Sequence, residues 1–153
     1  KYTWVDVGSS YVLSELNAAY LYAQLESRDA ILKKRLNIFD KYYTGLKPLQ
    51  DKGKIQLPFI PPHCQSNGHM FYIISSSRDE RSRLMKFLRD RNIQAVFHYV
   101  PLHFSPMGVK NGLSAPLPVT EHITERLLRL PFFYYLTDTE QDYIIEAVLS
   151  FYK

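Results

Sequence analysis

Cysteine and long apolar runs are nearly absent from this sequence. Its 153 residues include a single cysteine, Cys64, so no disulfide can close within the chain, and this usage is typical of a reducing cytoplasm. No apolar run approaches the roughly 20 residues that a membrane span needs. No basic-then-apolar leader comes first, and the chain opens on Lys1 rather than on methionine. We therefore expect a cytoplasmic protein without a membrane segment, cut from a longer polypeptide.

The sequence also lacks a concentrated charge of one sign. Its net charge of +4 comes from 19 basic and 15 acidic residues, and these alternate in stretches such as "SSSRDERSRLMKFLRDR". Interleaved charges are typical of a solvated helix face. The weak excess argues against nucleic acid as a partner and suits a phosphate-bearing small molecule equally well.

Recognisable catalytic signatures are missing as well. Of the five histidines, only His98 and His103 are close in sequence, Pro101 separates them, and no cysteine or acid stands nearby to complete a metal site. There is no phosphate loop, no dinucleotide fingerprint and no Gly-x-Ser-x-Gly elbow. From the residues alone we expect neither a metal nor a catalytic nucleophile.

The N-terminal third predicts an extended arm over residues 2–7 and two helices. Ser14 is a typical N-cap, and Glu15 suits the positive end of a helix. Ser27 is placed to cap a second helix that ends at Lys52 and Gly53. Apolar residues at alternating steps of four and three predict one buried stripe on that helix, formed by Leu32, Leu36, Phe39, Tyr43 and Leu46.

The remaining two thirds predict a small sheet with helices packed on it. Strands are expected near residues 69–75, 94–100 and 130–134, with a serine-capped helix between the first two. Residues 105–119, rich in glycine and proline, predict a loop. Thr120 is expected to cap a helix reaching Leu128.

Thr137 and Glu140 form a capping box for the last helix. The fold class is α/β in the loose sense, with an α+β small domain and a long N-terminal helical arm.

Two polar clusters are candidates for binding. In "VFHYVPLHF", residues 96–104, the side chains of Tyr99, His98 and His103 are of the kind that hold sugar hydroxyls or diphosphate oxygens. The alternative is a core tyrosine with two surface histidines. The hydroxyls of Ser9, Ser10 and Tyr11 stand beside a helix start and suit a phosphate, although ordinary turn and cap chemistry explains them equally simply.

Four segments, in order, resemble the C-terminal part of the DegT/DnrJ/EryC1/StrS family of pyridoxal-phosphate-dependent sugar aminotransferases: "GSSYVLSELNAAYLYAQLE", "HMFYIIS", "VFHYVPLH" and "ERLLRLPFFYYL". The resemblance implies the C-terminal domain of a fold type I transferase, with residues 1–52 ending a large domain and residues 53–153 forming the small one. It also implies a homodimer that uses a nucleotide sugar, glutamate and pyridoxal phosphate.

The resemblance places site residues one by one. The family commonly has asparagine where Ser10 stands, and that residue reaches the cofactor phosphate of the neighbouring subunit; Ser9 and Tyr11 are second choices. "YVPLH" matches the family's pattern of tyrosine followed by Pro-Leu-His, which puts Tyr99 and His103 near the nucleotide-sugar pocket, with His98 a weaker candidate.

The family's Schiff-base lysine lies upstream of the segment that matches residues 8–19, and no lysine of this chain occupies that motif. The chain alone is therefore expected to bind no cofactor and to be inactive. A rival interpretation is a non-catalytic interaction module whose alanine-rich first helix docks a partner.

Overall fold

A computed structural model of the protein describes residues 11–112 and 115–153, and it begins with two consecutive helices. Helix α1 spans Glu15–Glu26, and the Ser14 hydroxyl caps it by accepting a hydrogen bond from the Asn17 N–H. Helix α2 spans Arg28–Asp51, and Gly53, with φ of +66°, follows its end. Both predicted helices are confirmed, but the Ser27 side chain makes no capping hydrogen bond to α2. The predicted arm over residues 2–7 lies outside the described residues.

Three short strands form one antiparallel sheet. They are β1 (Tyr72–Ile74), β2 (Val96–Phe97) and β3 (Leu127–Arg129), in the order β1-β3-β2. The register pairs Ile73 with Leu128 and Val96 with Arg129. The first two strands were expected in these places.

The prediction of a third strand at residues 130–134 was wrong, because β3 precedes that segment. Pro131 has no N–H to donate, so regular pairing cannot continue through it. The preceding helix α5 spans Pro118–Arg126 and starts on a proline, whose fixed φ suits the first helical turn. Thr120 therefore lies inside the helix and does not cap it.

Helix α3 spans Arg78–Arg89 and helix α6 spans Asp138–Phe151, and both start as the sequence predicts. Ser77 caps α3, and the capping box at the start of α6 is complete. Residues 105–119 are not simply a loop: a 3-10 turn at Leu102–Phe104 leads into the short helix α4 (Pro106–Lys110).

The core lies where α2, from Ile38 onward, meets α6, α3 and the sheet. The ring of Phe71 contacts the rings of Phe39 and Tyr42, with both centroid distances at 5.1 Å. The predicted stripe on α2 is right at Phe39 and Leu46, whereas Leu32 is exposed. The buried residues of α2 all lie from residue 38 onward, and they are Ile38, Phe39, Tyr42, Leu46 and Leu49.

Helix α1, in contrast, buries no residue. None of the helices in the described ranges is long and apolar enough to cross a membrane.

Candidate functional site

The predicted binding segment, residues 96–104, leaves the sheet at the end of β2 and turns sharply at Pro101. A single serine holds the turn in place. Its hydroxyl, on Ser105, donates to the Leu102 carbonyl at 2.7 Å and accepts from the Gly108 N–H at 3.0 Å. A Cβ on Gly108 would lie 1.9 Å from the Leu102 carbonyl oxygen, so only glycine fits where α4 crosses the turn.

His103 points inward from this turn. Its side chain is buried, with the residue only 5% exposed, and its Nε2 lies 3.1 Å from the carboxylate of Glu121 on α5. The same carboxylate accepts a hydrogen bond from the Leu117 N–H at 2.9 Å. The Leu117 N–H first, and His103 second, hold the pKa of Glu121 below its usual value. This pair ties the 96–104 segment to the start of α5.

The side chains of Tyr99 and His98, unlike that of His103, are not buried. Tyr99 is 74% exposed, and the Arg129 guanidinium lies 5.7 Å from its ring centroid. His98 is half-buried, its ring lies 5.1 Å from that of Tyr99, and its Nδ1 has no hydrogen-bond partner among the described residues. The alternative of a core tyrosine with two surface histidines is therefore wrong for Tyr99 and for His103.

A cavity of about 570 Å³ opens between this segment, α3 and α5. Its volume lies within the range typical of small-molecule sites. The polar and aromatic side chains that matter most to its chemistry are those of Arg78, Arg81, His98, Tyr99, Glu121 and Glu125. Two of the predicted substrate-binding residues, Tyr99 and His98, therefore line one cavity, while the third, His103, braces its wall from behind through Glu121.

Sequence reasoning missed the two arginines and Glu121. Arg78 and Arg81 stand in the stretch that was interpreted as a solvated helix face, yet Arg81 is buried. Its spacing from Leu84 and Leu88, three and seven residues, was the available signal, because those steps share one helix face. Glu121 had no local signal, since its partner His103 is 18 residues away.

The predicted cofactor-binding residues remain predictions. Ser9 and Ser10 lie outside the described residues, and Tyr11 is 92% exposed. No lysine lines the cavity within the described part of the chain. Residues 11–112 and 115–153 also contain no group of three His, Cys, Asp or Glu side chains placed to hold a metal ion.

The helices and sheet around this cavity are arranged as in solved aminotransferases. The chain superposes on S. venezuelae DesV in complex with a ketimine intermediate, with a TM-score of 0.84 and 30% identity, over 98% of this chain and 39% of that one. A DegT DnrJ EryC1 StrS aminotransferase from Brucella abortus gives a TM-score of 0.79 and 28% identity, over 99% and 39%. The expected fold class, the C-terminal domain of a fold type I transferase, is confirmed.

The family is shown as well. The model of the DegT/DnrJ/EryC1/StrS aminotransferase family matches residues 1–149, and the chain belongs to this family. A curated relative, the dTDP-3-amino-3,4,6-trideoxy-alpha-D-glucose transaminase of Micromonospora megalomicea subsp. nigra, is 33% identical over 92% of this chain and 38% of its own length. Another, the "pleiotropic regulatory protein" of Geobacillus stearothermophilus, is 27% identical over 100% and 41%. The chain thus spans about two fifths of the length of these relatives.

Proposed function

We propose that this chain is the C-terminal part of a cytoplasmic, homodimeric sugar-nucleotide aminotransferase. The complete protein uses pyridoxal phosphate and glutamate to aminate a dTDP-4-keto-6-deoxyhexose for cell-surface polysaccharide biosynthesis. Residues 1–52 end its large domain, and residues 53–153 form its small domain. The finer assignment is a dTDP-4-amino-4,6-dideoxygalactose transaminase of lipopolysaccharide or common-antigen synthesis.

One observation carries this proposal: the segment that matches the family's tyrosine and Pro-Leu-His pattern lines a cavity of ligand size. Tyr99 offers an exposed hydroxyl and ring face at its mouth, and His98 offers an unpartnered ring nitrogen on its wall. His103, held by Glu121, fixes the turn that carries both. In this proposal the chain binds and orients the sugar nucleotide and shields it from water.

In this proposal the chain does not supply the reactive amine. The family resemblance implies that the Schiff-base lysine lies upstream of the segment matching residues 8–19, so we assign it, and with it catalysis, to the part of the protein that precedes residue 1. This chain by itself is then inactive and binds no pyridoxal phosphate. Ser10, with Ser9 and Tyr11 as second choices, contacts the cofactor phosphate in the assembled dimer.

The test uses the complete protein, made by extending this chain with its upstream coding sequence. We expect glutamate-dependent amination of a dTDP-4-keto-6-deoxyhexose and less turnover with a 3-keto isomer. Tyr99→Ala should raise the KM for the sugar nucleotide about tenfold, the loss of one good ligand contact. Tyr135→Ala is the matched control, because Tyr135 is as exposed as Tyr99 but lies outside the cavity. A complete protein without turnover and without cofactor absorbance would reject the proposal.

A second candidate function is a non-catalytic interaction module. The observation that favours it is helix α1, which carries the exposed side chains of Leu16, Tyr20 and Leu25 and buries none. The regulatory name of the Geobacillus stearothermophilus relative points the same way. Size-exclusion chromatography of the complete protein separates the two: a homodimer with transaminase activity supports the first proposal, and an inactive monomer that α1 recruits to another protein supports the second.

A further inference from the structure

Arg81 is a charged side chain in a position built for an apolar one. On α3 it lies three residues before Leu84 and seven before Leu88, so all three point to the same side of the helix. Leu84 and Leu88 are fully buried, and Arg81 is only 9% exposed. Arginine is almost never fully buried unless it is paired, and Arg81 comes close to full burial.

No such pairing exists within the described part of the chain. None of the ion pairs within 4.0 Å there involves Arg81, and its Nε has no hydrogen-bond partner. Its guanidinium lies 5.6 Å from the ring centroid of Phe97, which is a weak contact compared with a carboxylate. Burial first, and Arg78 second, lower the pKa of Arg81, whereas the charge of Glu125 raises it. A largely buried charge without a counterion within 4.0 Å among the described residues is costly, and that cost indicates an anion from outside the chain.

The surroundings support an external anion. Arg78, which lies one helical turn before Arg81 on α3, lines the same cavity. His98 lines it as well, and its buried Nδ1 has no hydrogen-bond partner among the described residues. Two carboxylates also line it. That of Glu121 is already engaged by His103 and by the Leu117 N–H, and that of Glu125 forms no ion pair with Arg81 in the described residues.

We propose that Arg81, assisted by Arg78, binds a phosphate group of the ligand in this cavity. The guanidinium fork suits two oxygens of a phosphate at once, and the exposed ring of Tyr99 offers a stacking face nearby. The identity of the anion as the diphosphate of a nucleotide sugar rests on the proposed function, whereas the anion site itself does not. Arg81 is thus a residue for substrate affinity and specificity.

The test follows the Arg81 Nε–H signal by ¹H–¹⁵N NMR while pyrophosphate, dTDP, thymidine or sodium glutamate is added to this chain at constant ionic strength. We expect saturable shifts with pyrophosphate and dTDP, and none with thymidine or glutamate. Arg81→Gln should weaken dTDP binding at least tenfold. Arg83→Gln is the matched control, because Arg83 is an exposed arginine of the same helix outside the cavity, and it should change binding less than twofold.

Stability gives a second readout. Because Arg81 has no ion pair to lose among the described residues and burying a charge costs free energy, Arg81→Met should keep the wild-type melting temperature or raise it, while it removes dTDP binding. An equal loss of dTDP binding in Arg83→Gln would overturn the inference. So would an Arg81 Nε–H signal that shifts equally when sodium chloride replaces pyrophosphate, or that saturates with glutamate instead of pyrophosphate.

The inference and the proposed function fail separately. If Arg81 binds dTDP but the complete protein aminates no sugar, the function is rejected and the anion site stands. If the complete protein aminates its sugar with the same KM after Arg81→Gln, the function stands and the anion site is rejected.

Discussion

Helices α1 and α2 follow each other in the chain and differ in packing, although α1 is the more apolar of the two in sequence. Helix α2 buries five residues, all from Ile38 onward, against α6 and the sheet. Helix α1 buries none, and Leu16, in its first turn, is 84% exposed. The contrast shows that a cap and helical propensity are enough to define a helix locally, whereas its burial depends on which other elements of the chain pack against it.

Two long-range contacts explain why α2 is held. The Tyr42 hydroxyl donates to the Pro131 carbonyl at 2.9 Å, and the Gln141 amide donates to the Ile38 carbonyl. Together with the rings around Phe71 these contacts join α2 to both the sheet and α6. Among the described residues, helix α1 buries no side chain and is held mainly by its own turns and the Ser14 cap, and isolated helices of about 12 residues are marginal in water. In this chain, α1 should therefore open long before the core does.

The largest expected effect is the loss of a core ring on α2. Phe39→Ala removes a buried ring that packs edge-on against Phe71, and we expect it to lower the free energy of unfolding by about 3–5 kcal/mol, as large-to-small core substitutions do. Urea denaturation followed by circular dichroism measures this.

The control for Phe39→Ala is Leu16→Ala on α1, which deletes a comparable apolar side chain from an exposed position. Its effect should stay within about 0.5 kcal/mol. Equal losses in the two variants would contradict the contrast between the helices, since they would mean that α1 is packed in solution.

A smaller effect is expected from the helix caps. Thr137 accepts a hydrogen bond from the Glu140 N–H, and the Glu140 carboxylate accepts one from the Thr137 N–H at 2.9 Å. Because α6 is part of the core, Thr137→Ala should lower global stability by about 1 kcal/mol. A thermal melt followed by near-ultraviolet circular dichroism detects this loss.

Ser14→Ala removes the corresponding cap from α1 and tests whether α1, like α6, is coupled to the core. It should reduce helical signal at low temperature and leave the melting midpoint of the core unchanged. If Ser14→Ala lowered the midpoint as much as Thr137→Ala, α1 and α6 would be equally coupled to the core.

The parts of the fold that the sequence predicts correctly depend on local chemistry. The caps at Ser14, Ser77 and Thr137 are confirmed because a cap involves only a side chain and a backbone three residues away. The third strand was misplaced because β3 is defined by its partners. Leu128 pairs with Ile73, and nothing within a few residues of Leu128 reveals that distant contact.

The candidate site likewise has parts that the sequence predicts and parts that depend on distant contacts. Resemblance selected residues 96–104, and two of its candidates, His98 and Tyr99, line the cavity. Arg81 was missed because its charge was given more weight than its spacing, although a helix places residues by spacing alone. The contact between His103 and Glu121 joins a turn to a separate helix, so it required the tertiary structure.

The smallest expected effect is a pH dependence at that contact. The pKa of Glu121 is lowered in the folded protein, first by the Leu117 N–H and then by His103. A lowered carboxylate pKa stabilises the fold above the unfolded pKa of about 4, and this contribution is lost as the pH falls through the folded value. Glu121→Gln should therefore reduce stability at pH 7, by less than Thr137→Ala does, and should flatten the loss between pH 5 and pH 3. Urea midpoints across this range measure both effects.

The control is Glu26→Gln, at the exposed end of α1, which removes a carboxylate that has no ion pair within the described ranges. It should leave the wild-type pH profile in place. A profile that Glu26→Gln flattens as much as Glu121→Gln would show that net charge, rather than the contact with His103 and Leu117, sets the acid sensitivity. An unchanged pH profile in Glu121→Gln would show that the turn carrying His103 is held without this carboxylate. The close packing of Gly108 against Leu102 would then be what stabilises the cavity wall.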